Sequence, residues 1–548
     1  MNLIQAKEKI ENISWYKQGA SAKYFYVFYP WYACLSMKIL EKNIPVKYEL
    51  IGYFNSNNYF MDAYISKRSL AKVAKYYFKR QCDEPQFIKN LFSHWHKNYV
   101  NPFLTISEKF LKMDFPAFSD KILLNLFNDY TKIYTQLWQE SIFLDSFDFY
   151  GEIILQEAME KEGKNIEMED LQILLTPPNP SFMQKERLEI LKLAERVLKR
   201  NTLNPPQSLG GDCGEGTNNP PQSLSETAAG NLRRLRRILR ISSGFTHPRR
   251  SLSAEDCDAS EWLNKKLSQI SKNFYWINND YASVEYLGQE YFFNKLRVLV
   301  EDTKKLTEEK NMRGELKNLS RKKSAIAKKY KLSAQFLKDL NFLAFLGTFR
   351  DERKTYNQMA GNTLKKFAIE FSSRAKIPLN LTENLFFWEI KSIFNLRDNL
   401  ILTAKKRMRG AFFIANKSTK FDVFYDKEGE ALNNCIKDII STRGELKGKP
   451  AFAGKVKGKV KIIRTKNDFS KMKKGDILVS TNTRPEFLPV MKIAGAIITE
   501  EGGITCHAAI VSRELKIPAI VGVQGALDIL HDGDIIEVDA FSGMIEMS

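Results

Sequence analysis

Apolar residues recur at spacings of three and four along most of the chain and give way to a period of two only near its carboxy-terminal end. Leu123, Leu124, Leu126, Phe127, Tyr130 and Ile133 carry the first pattern, which predicts a Lys-rich helical region over residues 1–200. A Thr-Pro-Pro-Asn-Pro stretch at 176–180 interrupts it, and a further helix is predicted over 182–200. A second helical region is predicted over 265–442. From about Leu446 the pattern changes. Residues 455–462 alternate charge with Val456, Val460 and Ile462, the period of a half-buried strand. Short apolar runs at 477–479, 496–498, 519–521, 535–538 and 544–545 predict more strands, with helices near 486–493 and 507–515. The fold class expected is therefore multidomain: mostly α-helical N-terminal and middle regions, then a C-terminal β/β/α domain over 446–548.

Composition separates one more stretch. Residues 201–264 contain no lysine but seven arginines, seven acids, five prolines and six glycines, and they repeat Asn-Pro-Pro-Gln-Ser-Leu at 204–209 and 219–224. Two copies are too few for a solenoid, so the stretch is expected to be a low-complexity, disordered insertion. Glycine is scarce elsewhere, since 12 of the 28 fall in the last 106 residues. The net charge of +20 makes a phosphorylated or otherwise anionic partner plausible. The insertion adds nothing to it, however, and residues 301–442 supply a net +12 spread along helices rather than gathered in a stripe. With no nucleic-acid-binding motif, nucleic acid is not the expected partner. Arg350, Arg353 and Lys354 fall on one helical face with Asn357 and are candidates to hold an anion.

The longest uncharged aromatic run, 24–37, is shorter than the roughly 20 residues a bilayer span needs, and it reads as a buried core segment. No signal sequence stands at the amino terminus, so a cytoplasmic protein is expected. Six scattered cysteines form no CxxC pair and predict neither a disulfide framework nor a metal site. His94 and His96, two apart, are expected to be packing residues.

Candidate chemistry concentrates in one segment, Glu500-Glu501-Gly502-Gly503-Ile504-Thr505-Cys506-His507-Ala508-Ala509. A strand is predicted to end at Thr499, two glycines permit a sharp turn, and a helix opens at Thr505 to His507 with Thr505 as its expected cap. Lys516 and Pro518 close that helix. Free backbone N–H groups and the dipole at a helix start favour negative charge, so His507 stands where a phosphoryl group is stabilised. The same dipole disfavours imidazolium, which leaves His507 neutral and able to act as a nucleophile.

The run Gly-Gly-Ile-Thr-Cys-His-Ala-Ala-Ile-Val-Ser-Arg-Glu-Leu-Lys-Ile-Pro-Ala-Ile-Val-Gly, from Gly502, resembles the phosphohistidine segment of the PEP-utilising enzymes: phosphoenolpyruvate synthase, pyruvate phosphate dikinase, enzyme I and rifampicin phosphotransferase. Thr483-Arg484-Pro485-Glu486 and Ala494 to Thr499 resemble the lead-in of the same domain. The resemblance covers about residues 450–548 and implies a swivelling β/β/α domain whose histidine, here His507, is transiently phosphorylated. It also implies a regulatory threonine at Thr505. On their own chemistry, Gly502, Gly503, Thr505 and Cys506 are the candidate phosphate loop and helix start, and Arg513 is a candidate to hold an anion with Arg350, Arg353 and Lys354.

Departures from the family matter equally. No glycine-rich nucleotide loop, Walker A pattern or GxGxxG occurs, so no cofactor is expected to be held by a recognisable motif in this chain. ATP or phosphoenolpyruvate with Mg2+ is implied for a donor site by the resemblance alone. An ATP-grasp protein in trans is the partner expected, with a small-molecule acceptor that the sequence does not name. The alternatives are a catalytically incomplete binding or regulatory protein that keeps the domain, and a basic helical protein that binds nucleic acid.

Overall fold

A computed structural model of the chain describes residues 1–21, 49–55, 60–203, 254–279, 284–415, 421–441, 446–464, 466–483, 487–503 and 506–547. Two units are resolved by their packing: Met1–Pro177, Asp280–Ser283 and Lys323–Ser548 form one, and Pro178–Asn279 with Val284–Lys322 forms the other. The second unit consists of helices Phe182–Leu203, Ala254–Phe274, Gln289–Glu301 and most of Thr303–Lys329. Leu267 and Leu296 are buried in it, and Arg313 forks onto both oxygens of Glu195 at 2.7 Å. Helices thus extend into both ends of the 201–264 stretch. Residues 204–253, with the arginines at 233–240, lie outside the described residues, as does the 24–37 run.

In the first unit, α1 (Leu3–Glu11) opens with a capping box between Asn2 and Gln5. Ser119 caps α2 (Asp120–Gln139), and α3 (Ser146–Glu162) ends on Gly163 at φ +61°. The 42-residue α4 (Ala334–Ala375) is capped by Ser333 and carries Phe349, Tyr356, Phe367 and Phe371 into an aromatic core. There they meet Trp95, Phe103, Phe110 and Phe127, with ring centroids 4.9 to 6.3 Å apart.

The N-terminal and middle regions are mostly helical, as expected, and they also build a five-stranded antiparallel sheet that the sequence pattern did not predict. Its strands are β1 (Trp15–Ser21), β2 (Leu50–Asn55), β3 (Phe60–Ser66), β4 (Ala411–Ala415) and β5 (Phe421–Tyr425), in the order β1-β3-β2-β4-β5. All five residues of β4 are buried, so its sequence carries no alternation. Its partner lies far away in sequence, with Ile51 opposite Ile414. Helix α1 and α5 (Asp426–Ser441) cover this sheet, packing Ala6, Ile10, Leu432 and Ile436 onto Trp15, Ile51, Tyr64 and Phe412.

The carboxy-terminal domain follows the predicted pattern closely. Its strands are β6 (Lys449–Phe452), β7 (Lys455–Ile462), β8 (Ile477–Ser480), β9 (Ala496–Thr499), β10 (Ala519–Val521), β11 (Ile535–Asp539) and β12 (Met544–Met547). They form one sheet in the order β12-β11-β7-β8-β9-β10-β6, parallel from β7 to β10 and antiparallel at both margins. Strands β8, β9 and β10 are buried on both faces, which explains their unbroken apolar runs. One face packs α6 (His507–Leu515) through Ala508, Ala509 and Val511, and the other packs α7 (Ala526–Ile529).

Candidate functional site

The site begins where β9 ends. Glu500 and Glu501 donate their backbone N–H groups to Ser480 O at 3.0 Å and Thr481 O at 2.8 Å, which carries the chain past the end of β8. Gly502 then turns at φ +102°, a conformation that disfavours any side chain, and a Cβ there would stand 2.7 Å from the Cys506 sulfur. Cys506 N donates to Gly503 O at 2.9 Å, and Cys506, not Thr505, caps α6, its Sγ accepting from Ala509 N at 3.5 Å. Burial pushes the Cys506 thiol up, so the cap remains a neutral SH group. Thr505 lies outside the described residues. Helix α6 ends at Lys516, in the left-handed region at φ +55°, before Pro518.

His507 is the first residue of α6. Its Nδ1 lies 2.8 Å from Thr483 Oγ1, and among the described residues Nε2 has no hydrogen-bond partner. Burial, and next the positive charge of Lys354 on α4, depress the imidazole to about 4. A neutral ring at physiological pH follows, and the helix dipole acts in the same sense. Ala508 and Ala509 are fully packed beneath it and add no bulk beside the ring.

The helical face opposite is charged on a plan that the sequence concealed. Arg350 pairs with Asp148 at 2.7 Å and remains partly exposed. Arg353 turns inward instead, paired with Asp145, donating to Ser141 O at 2.9 Å and lying over the Trp138 ring at 4.6 Å. Asn357 is buried as well, against the Tyr134 hydroxyl. Of the four basic candidates, Lys354 is the one whose charge reaches His507. Arg513 faces another way, donating to Ala451 O at 3.1 Å, and burial pushes it down to about 10. It ties α6 to β6.

Several participants had no signature in the sequence. Tyr16 is half-buried, its hydroxyl pushed up by loss of solvent around it and then by the charges of Asp148 and Glu501. Glu152 of α3 pairs with Lys449 of β6 and sits against Gly503, so a residue of the helical region touches the glycine turn itself. Thr483 stands in the lead-in motif, but its contact with a residue 24 positions away is a product of the fold.

Comparison with known proteins finds relatives of the carboxy-terminal domain. Residues 472–543 match the family model described as PEP-utilising enzyme, mobile domain. The carboxy-terminal domain belongs to that family. Over 100 residues it is 52% identical to a probable phosphoenolpyruvate synthase of Archaeoglobus fulgidus, covering 18% of this chain and 13% of the relative. Over 116 residues it is 45% identical to an uncharacterized phosphotransferase, YvkC, of Bacillus subtilis, covering 21% and 14%. A solution structure of an Enzyme I protein aligns with 61% of this chain and 84% of its own at 12% identity, with a TM-score of 0.15. The match therefore spans about one-seventh of these two relatives' own length. Among the described residues, no three His, Cys, Asp or Glu side chains stand together as a metal site. No helix among them is long and apolar enough to cross a membrane.

Proposed function

We propose that this protein is a phosphotransferase component in which His507 accepts a phosphoryl group and passes it on. One observation carries the reading: a neutral imidazole, fixed through Nδ1 by Thr483, at the start of a helix that follows a two-glycine turn. With Nδ1–H donating to Thr483, the lone pair lies on Nε2. That pair attacks phosphorus, the N–P bond forms, and the donor's P–O bond breaks with its electrons leaving on oxygen. The charged phosphoramidate is met by the amides of the helix start, which favour an anion. Lys354, already close enough to act on the ring, adds a second positive contribution from the helical side.

The donor proposed is an ATP-grasp protein on another chain, and the acceptor a small molecule engaged at the helical face that carries Arg350 and Lys354. The test is labelling with ATP carrying label at the β or γ phosphate. The chain alone should remain unlabelled, whereas addition of an ATP-grasp partner should give acid-labile, base-stable label that His507→Ala abolishes. Label that survives that substitution refutes the role of His507, and label on the isolated chain refutes the divided arrangement.

A further inference from the structure

One lysine outside the site is buried among carboxylates of the five-stranded sheet and of the carboxy-terminal domain. Lys17 of β1 is 4% exposed. Its ammonium lies 3.5 Å from Asp62 on β3, 3.3 Å from Glu500 at the end of β9, and 2.9 Å from Asp528 on α7. Asp62 belongs to the same five-stranded sheet, but Glu500 and Asp528 belong to the carboxy-terminal domain. Glu500 also accepts from Leu527 N at 2.9 Å, which joins the glycine-turn strand to α7. Lys437 of α5 approaches Asp528 at 3.4 Å. A cavity of about 260 Å3, lined by Lys17, Asp62, Asn433, Lys437 and Asp528 among others, lies alongside.

We infer that Lys17 is a docking pin, holding the carboxy-terminal domain on the five-stranded sheet by closing on Glu500 and Asp528. Three carboxylates around one ammonium leave negative charge in excess, and it persists when Lys437, Arg464 and Glu430, which line the same cavity, are counted. Burying that excess is costly, and separating the two surfaces would return it to water. Attraction at Lys17 is thereby opposed by the carboxylates' demand for solvent, and the cavity beside them gives water its path. Such a balance suits an interface that must close and reopen, unlike an apolar seam of the same size. Glu500 lies two residues before Gly502, so the pin grips the strand that presents the turn.

This inference stands apart from phosphotransfer, and its test needs no turnover. Glu152 and Lys449 join α3 to β6 and report the docked arrangement. Zero-length carbodiimide coupling of the full chain, read by mass spectrometry, should give a 152–449 linked peptide, and His507→Ala should give as much. Lys17→Met should lower that yield at least about tenfold, because it strands buried carboxylates without a partner. Asp528→Asn, which leaves the five-stranded sheet intact, should lower it about threefold, removing one of the two ties. Far-UV circular dichroism checks folding, and where Lys17→Met does not fold, Asp528→Asn decides. A wild-type yield in the folded variants, or no linked peptide in the wild type, overturns the pin.

Discussion

His507 titrates far from its ordinary range, and this has two measurable consequences. Folded, the ring takes its proton near 4, whereas in the unfolded chain it does so near 6.5. Above 6.5 both forms are neutral and the ring contributes nothing to pH dependence. As pH falls from 6.5 toward 4, the unfolded chain binds a proton that the folded chain refuses, so stability drops by about 3 kcal/mol in total. Urea unfolding of His507→Asn should lack that share of the acid-side loss, and an unchanged slope over the same pH range would contradict the shift. Lys354→Met removes a positive neighbour, so the imidazole should titrate higher than in the wild type by nuclear magnetic resonance. Burial supplies the larger part of the depression and remains, so the ring should still titrate below 6.5.

Among the elements, the glycine turn and α4 set the site. Gly502→Ala places a Cβ against Cys506 and forces a strained φ, which should cost about 1–3 kcal/mol of domain stability by thermal melting and reduce labelling at His507. Arg353→Ala acts through the core: it leaves Asp145 buried without its partner and should cost about 3–5 kcal/mol by urea denaturation. These positions also mark how far the sequence could be read. Strands β7 to β12 and α6 were legible because each carries its period or its apolar run locally, with turn residues at the boundaries. Strands β1 to β5 were not, since β4 is buried throughout and β2 finds its partner some 360 residues away. At the site, His507 and Gly502 could be read from local chemistry. The division of labour between Arg353, turned into the core, and Lys354, reaching the ring, depends on which side of α4 the rest of the chain covers.

At the scale of the whole molecule, charge pairs among the described residues join the carboxy-terminal domain to the rest: Lys17 with Glu500 and Asp528, Lys437 with Asp528, and Glu152 with Lys449. Its own two cores lie on either side of its sheet and draw only on residues from Leu446 onward. Residues 446–548 expressed alone should therefore unfold in one cooperative transition by calorimetry, and a broad, non-cooperative melt would show that the five-stranded sheet is needed for folding. The place where the chain enters this domain has a mechanical meaning. Leu446 O accepts from Ile545 N at 2.9 Å, Gly448 N donates to Gly543 O at 2.9 Å, and Lys447 bridges Met544, so the first residues are sewn to the last strand. A pull arriving at Leu446 therefore falls on the edge strand β12 through paired backbone bonds, not on a single loose end. The entry residues and the last strand of the domain are thus loaded together.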